Sequence, residues 1–171
     1  MKLIRYRDGK EEHYGVLVSG EVVCLPSLAK RLNKQLPLRL ENFVAWGVKG
    51  IETAEKLLED ARKNDVKKVS HSVNEVTLLA PIASPPKIVC LGLNYRDHAA
   101  EQNAAIPDNP IIFLKPHTTI IGPNENFVKP DFVKQLDYEA ELAVVIGRKA
   151  KNIPVSEAKS HIFGYTILND V

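Results

Sequence analysis

Two glutamates in the run LDYEAELAVVIG, residues 136–147, stand where a strand would aim them at one point. Tyr138, Ala140, Leu142, Val144 and Ile146 alternate as one apolar face, and Asp137, Glu139 and Glu141 fill the other. On a strand, residues i and i+2 share a side and their Cα atoms lie about 6.6–6.8 Å apart. On a helix the same two side chains would diverge. Carboxylates this close raise one another's pKa unless a cation or a basic side chain sits between them. A solvated acidic face paired with surface lysines would explain Glu139 and Glu141 equally well. A third acid favours a binding role: GYTILNDV reads as a second apolar strand that delivers Asn169 and Asp170 at its end. Asp170 is there either a turn residue or a ligand. Three oxygen donors without a Cys or His cluster suit a hard cation, Mg²⁺ or Mn²⁺ with Ca²⁺ as an alternative, and leave positions open for water or substrate.

A second constellation is GLNYRDHAAEQ, residues 92–102. Gly92 and Asn94 suggest a turn, and Asp97 is placed to cap a short helix. His98 and Glu101 then fall at i and i+3 on one helical face. A carboxylate there would fix the imidazole's tautomer and raise its basicity, as a general base requires. An exposed helix with an incidental histidine fits the same spacing. Lys115 ends the apolar run IIFL, where its ammonium either meets an anion or reaches out to water.

The elements that must position these residues fall into two groups. KLIRYRDGKEEHYGVLVSGEVVCL predicts two or three short strands with hairpin turns at Asp8-Gly9 and Ser19-Gly20. IETAEKLLEDARK places Ile51, Ala54, Leu57, Leu58 and Ala61 at helical spacing. PSLAKRLNK and LENFVAW are weaker helices, and NEVTLLA is a last strand. PIASPP, residues 81–86, is the densest proline cluster and marks a boundary between a small N-terminal α+β domain (1–80) and a second domain (87–171). In the second domain KIVCLGL, IIFL, AELAVVIG and FGYTILNDV read as buried strands, with RDHAAEQN and PVSEAKSHI as its short helices.

Composition narrows the function classes. With 171 residues, 44% hydrophobic and 26% charged, the chain can bury a core and is neither disordered nor membrane-spanning. Lys+Arg 23 against Asp+Glu 21 gives a net charge of +2, no electrostatic case for nucleic acid or a membrane surface. Cys24 and Cys90 sit inside apolar runs and read as reduced thiols, and no secretory signal is evident, so a cytoplasmic location is expected.

CLGLNYRDHAAE, FLKP, LDYEAELAVVIG and GYTILNDV, in that order, resemble the fumarylacetoacetate hydrolase family over roughly residues 86–171. The resemblance implies a mixed, β-rich α+β fold built on a rolled mixed β-sheet, with a small N-terminal α+β domain ahead of it. It implies an Mg²⁺ or Mn²⁺ centre whose ligands are Glu139, Glu141 and Asp170. It places His98 and Glu101 as a catalytic dyad on a helix that orders over substrate, and Lys115 as a further active-site residue. Substrates would be 2-oxo acids or their enols: acylpyruvates, fumarylacetoacetate-like diketones or hydroxymuconate-type diacids. The reaction would be hydrolysis, isomerisation or decarboxylation through a common enolate, in a cytoplasmic homo-oligomer, a homodimer by expectation. Family members continue beyond the ND motif whereas this chain stops at Val171, so the resemblance predicts the first part of the catalytic domain, not competent as an enzyme by itself. A non-catalytic metal-binding fragment and a plain β-rich domain with solvated acids are the two other readings. Metal binding separates the last from the others, and turnover separates the first two.

Overall fold

The computed structural model describes residues 1–64 and 69–171. Its first elements are β1 (Leu3–Asp8), β2 (Glu11–Val18) and β3 (Glu21–Cys24), joined by two-residue turns. Ser19 and Gly20 both take positive φ, 49° and 85°, the twist that a tight hairpin between right-twisted strands demands. α1 (Leu25–Arg31), α2 (Leu40–Val44) and α3 (Val48–Arg62) follow, then β4 (Ser70–Ser72) and β5 (Thr77–Leu79). The sheet order β4-β3-β2-β1-β5 puts two strands that are close in sequence at opposite edges. A flat sheet would hold β4 and β1 three strand spacings, about 14 Å, apart. Yet His71 on β4 lies 3.6 Å from the Asp8 carboxylate on β1. The sheet is therefore strongly rolled, around Tyr6, Val22 and Cys24.

The other side of this sheet carries the helices. Leu57 and Ala61, on the buried stripe of α3, pack with Leu28 and Ala29 of α1 and Val23 of β3. A second cluster joins Tyr14, Val16, Leu25, Leu40, Phe43 and Ala54. Every strand and helix expected in the first 80 residues is present, with these bounds.

Beyond Leu79 the chain forms two antiparallel ladders. β6 (Ile88–Gly92) pairs with β7 (Ile111–Lys115), with α4 (Arg96–Glu101) between them. β8 (Glu139–Ile146) pairs with β9 (Ile162–Asp170), with α5 (Val155–Ala158) in the connection. The base of the second ladder is pinned by the His161 carbonyl, which accepts from the Gly147 and Arg148 amides at 2.9 and 3.4 Å. Val145 and Phe163 then dock on the first unit's core, Phe163 meeting Phe43 edge-on at 6.2 Å.

Burial corrects one expectation. The alternating face Ala140, Leu142, Val144 and Ile146 is the exposed face of β8, with Leu142 61% accessible, and Ile167 on β9 is 85% accessible. The acid-bearing face, which continues into Ala143 and Val145, is the more covered one. β7 is likewise open, with Ile112 and Leu114 exposed, rather than a buried strand. Alternation reports that two faces differ; it does not report which of them is covered.

Candidate metal centre

β8 and β9 bring the three acids together through register alone. Glu139 is paired with Asp170, and Glu141 with Leu168. Directly opposed residues of an antiparallel ladder project from the same face, so Glu139, Glu141 and Asp170 share one. One carboxylate oxygen from each lies within 4.8 Å of one from each of the other two. The end of the ladder is fastened by the Glu139 amide, which donates to Asn169 Oδ1 at 3.1 Å. Two oxygens bound to one Mg²⁺ at 2.0–2.1 Å are at most about 4.2 Å apart, and a Ca²⁺ ligand shell allows about 5.2 Å. The donor set is therefore of the hardness that a small divalent ion takes, and of a size that fits Ca²⁺ as it stands and Mg²⁺ once the side chains close in by at least about 0.6 Å.

At that spacing two carboxylates repel by about 3.5 kcal/mol for an effective permittivity of 20. The consequence falls on Glu141. Partial burial pushes its carboxyl above the ordinary glutamate range, Asp170 and Glu139 push it further, and the nearby Lys115 and then His98 work against them. Lys115, at the end of β7, forms an ion pair with Asp170, whose side chain is only 9% exposed. Cys90 on β6 belongs to the same environment: its thiol is raised by burial and then by the Asp170 and Glu141 charges. Both ladders thus contribute one face to the cluster, acids from β8 and β9, a cation from β7 and a thiol from β6.

α4 reaches the same place. Its N-cap is Tyr95, in extended conformation; Asp97 lies in the first turn and makes no side-chain cap, contrary to expectation. Ala99 is buried and Glu101 is exposed. His98 is half-buried, and its ring Nε2 lies 2.9 Å from the side-chain nitrogen of Gln102. Among the described residues no hydrogen bond joins His98 to Glu101. The Tyr95 hydroxyl accepts the Leu142 amide hydrogen at 2.9 Å, which ties the start of α4 to β8 one residue beyond Glu141. Tyr95, Gln102 and Cys90 were missed in the sequence. Gln102 is one helical turn beyond His98, a spacing that could have flagged it. Tyr95 and Leu142 are 47 residues apart, and nothing local announces their contact.

The description Fumarylacetoacetate (FAA) hydrolase C-terminal matches residues 87–171, the segment that holds both ladders, α4 and all six candidate residues. These residues belong to the fumarylacetoacetate hydrolase family. Among relatives of this family, the mitochondrial oxaloacetate tautomerase Fahd2a of Rattus norvegicus is 35% identical over 175 residues, covering 100% of this chain and 53% of its own length. The fumarylacetoacetate hydrolase EaFAH of psychrophilic Exiguobacterium antarcticum superimposes with a TM-score of 0.71 at 27% identity, covering 99% of this chain and 55% of its own. The maleylpyruvate hydrolase of Sphingobium sp. SYK-6, solved with manganese(II) and pyruvate, gives a TM-score of 0.70 at 26% identity, over 99% of this chain and 58% of its own. The chain spans about half the length of the curated relatives it matches. The β-rich α+β fold expected from the motifs is the fold of this family. Among the described residues, no helix is long and apolar enough to cross a membrane.

Proposed function

We propose that residues 87–171 carry a divalent-metal centre acting on 2-oxo acids or their enols, with Glu139, Glu141 and Asp170 as ligands to Mg²⁺ or Mn²⁺. The observation that carries this reading is the meeting of three carboxylates from two strands with Lys115 and His98 beside them. The rat relative named as an oxaloacetate tautomerase and the Sphingobium hydrolase holding manganese(II) and pyruvate support the substrate class and the metal. A divalent ion there would supply Lewis-acid polarisation of a substrate oxygen.

The chain's own residues do the rest. The three carboxylates bind and orient. Lys115 offsets one negative charge and offers an ammonium to an anionic substrate. His98 accepts a proton at Nε2 once Gln102 yields that nitrogen, and returns it later, which serves hydrolysis, isomerisation, decarboxylation or tautomerisation equally. Glu101, exposed on α4, would join His98 only after the helix closes over substrate. The strands of residues 1–80 pair only among themselves, and we assign this segment no chemistry. The exposed apolar faces of β7, β8 and β9 support association with further protein surface, in our reading a second copy of the chain.

The test is calorimetric titration of the metal-stripped protein with Mn²⁺, together with assays of oxaloacetate tautomerisation and acylpyruvate cleavage. One site per chain, lost on Glu139→Gln, Glu141→Gln or Asp170→Asn, is the expected result. Binding that survives all three substitutions would place the metal elsewhere. Binding without turnover of any 2-oxo acid would leave a metal-binding domain without catalysis.

A further inference from the structure

We infer that Tyr95 is a positioning residue that sets His98 against the carboxylate cluster by anchoring α4 to the backbone of β8. The inference rests on the metal-centre reading for its consequence in catalysis, and on geometry for the anchor itself.

α4 has six residues and no side-chain cap at its start. A helix this short is marginal by itself, because nucleation fixes several residues before the hydrogen bonds repay the lost freedom. Its place must come from tertiary contacts. Ala99 is one, fully buried but only a methyl group wide. Tyr95 makes another: it is the N-cap, so it sits at the pivot where extended backbone turns into helix, and its hydroxyl takes the Leu142 amide hydrogen at 2.9 Å. The ring is 42% exposed, so burial contributes little and the hydrogen bond is the specific part of the link.

The far end of the link is the strand that supplies two of the three acids. Leu142 directly follows Glu141, so a shift of Tyr95 is a shift relative to that carboxylate. One helical turn along α4 from Tyr95 is His98, on the helix whose start this hydrogen bond holds against β8. This hydroxyl thus ties the helix that carries the base to the strand that carries two of the ligands. A base displaced by about 1 Å can lose catalysis on the order of 10²-fold. The net strength of one such hydrogen bond corresponds to about 2- to 10-fold in an opening equilibrium.

Tyr95→Phe removes the hydroxyl and keeps the ring. In the full chain, amide hydrogen exchange at Leu142 and at Ala99–Gln102 should rise about 2- to 10-fold. Exchange in β1 and β2 and the Mn²⁺ affinity should stay within twofold. Unchanged exchange at Leu142 and α4 would overturn the anchor, whatever the enzyme does. The catalytic arm is a double-mutant cycle. Tyr95→Phe should lower kcat with little change in KM in the wild-type background, and should lower it no further in a His98→Ala background. An equal fall in both backgrounds would overturn action through His98. A wild-type protein inactive on every 2-oxo acid would refute the proposed function and leave the exchange result to decide the anchor.

Discussion

Replacing Lys115 by methionine removes the cation that balances the acid cluster, and the consequences run in opposite directions for folding and for metal binding. Three carboxylates and one ammonium give the site a formal charge of −2; with methionine it becomes −3. Breaking a fully buried ion pair costs 3–5 kcal/mol, and an exposed one costs less than 1. Asp170 is 9% exposed and Lys115 29%, so the pair lies between these limits. We expect the metal-free variant to lose about 1–3 kcal/mol at pH 7, part of it recovered by proton uptake on Glu141. For the metal the sign reverses. At the 4.8 Å scale of the cluster, a unit positive charge and a divalent ion repel by about 1.7 kcal/mol even at the permittivity of water. Lys115→Met should therefore bind Mn²⁺ about tenfold more tightly. Urea denaturation with chelator and with saturating Mn²⁺, beside calorimetric titration, reads both effects. At the same saturating Mn²⁺, tenfold tighter binding stabilises the variant by about 1.4 kcal/mol more than the wild type, so the deficit should shrink by about that much. The same deficit in chelator and in Mn²⁺, or weaker binding by the variant, would refute the electrostatic reasoning.

Other outcomes follow from the same geometry. Glu141 has a folded-state pKa above its unfolded value of 4.5; its contribution to the stability of the metal-free protein is therefore full below pH 4.5 and lost as pH rises through the raised value. Glu141→Gln should accordingly stabilise the metal-free protein at pH 7 and not at pH 4, and wild-type Mn²⁺ affinity should climb across that window with proton release, both measurable by calorimetry in buffers of different ionisation enthalpy. In an active full-length protein, His98→Ala should lower kcat by about 10²–10⁴-fold while Mn²⁺ affinity stays put; unchanged kcat would remove His98 from the reaction. Leu57→Ala, in the fully buried stripe of α3, should cost about 2–5 kcal/mol, whereas Ile167→Ala on the open face of β9 should cost less than about 0.5 kcal/mol in the isolated chain, and a large loss there would show that this face is covered in solution.

Much of this was legible in the residues because the signals were local. Gly9 and Ser19-Gly20 take the positive φ that two-residue turns need, and both hairpins form, the first turning at Gly9-Lys10, one residue later than expected. The 3.6-residue spacing of Ala54, Leu57 and Ala61 described the buried stripe of α3 directly. Glu139 and Glu141 shared a face because strand geometry leaves no alternative. Asp170 is different: its membership depends on the β8–β9 register, which pairs residues 31 positions apart and which no local pattern specifies. The same limit hid Tyr95, whose partner lies on another strand, and hid which acid Lys115 would meet, because that contact joins separate ladders. The apolar alternation of β8 misled for a physical reason: it predicted a covered face, and coverage depends on what packs there rather than on the strand. The rolling of the first sheet was equally invisible, since it follows from β4 and β5 taking opposite edges.

The central claim is that Glu139, Glu141 and Asp170 hold one divalent ion, and a crystal structure of the full-length protein grown with Mn²⁺ tests it most directly. Anomalous scattering recorded across the manganese absorption edge should give a single peak within about 2.0–2.3 Å of a carboxylate oxygen from each of the three residues, with the remaining coordination positions open to water or substrate. A peak bound by other side chains, or none at saturating Mn²⁺ with the three carboxylates still clustered around the Lys115 ammonium, would contradict the account.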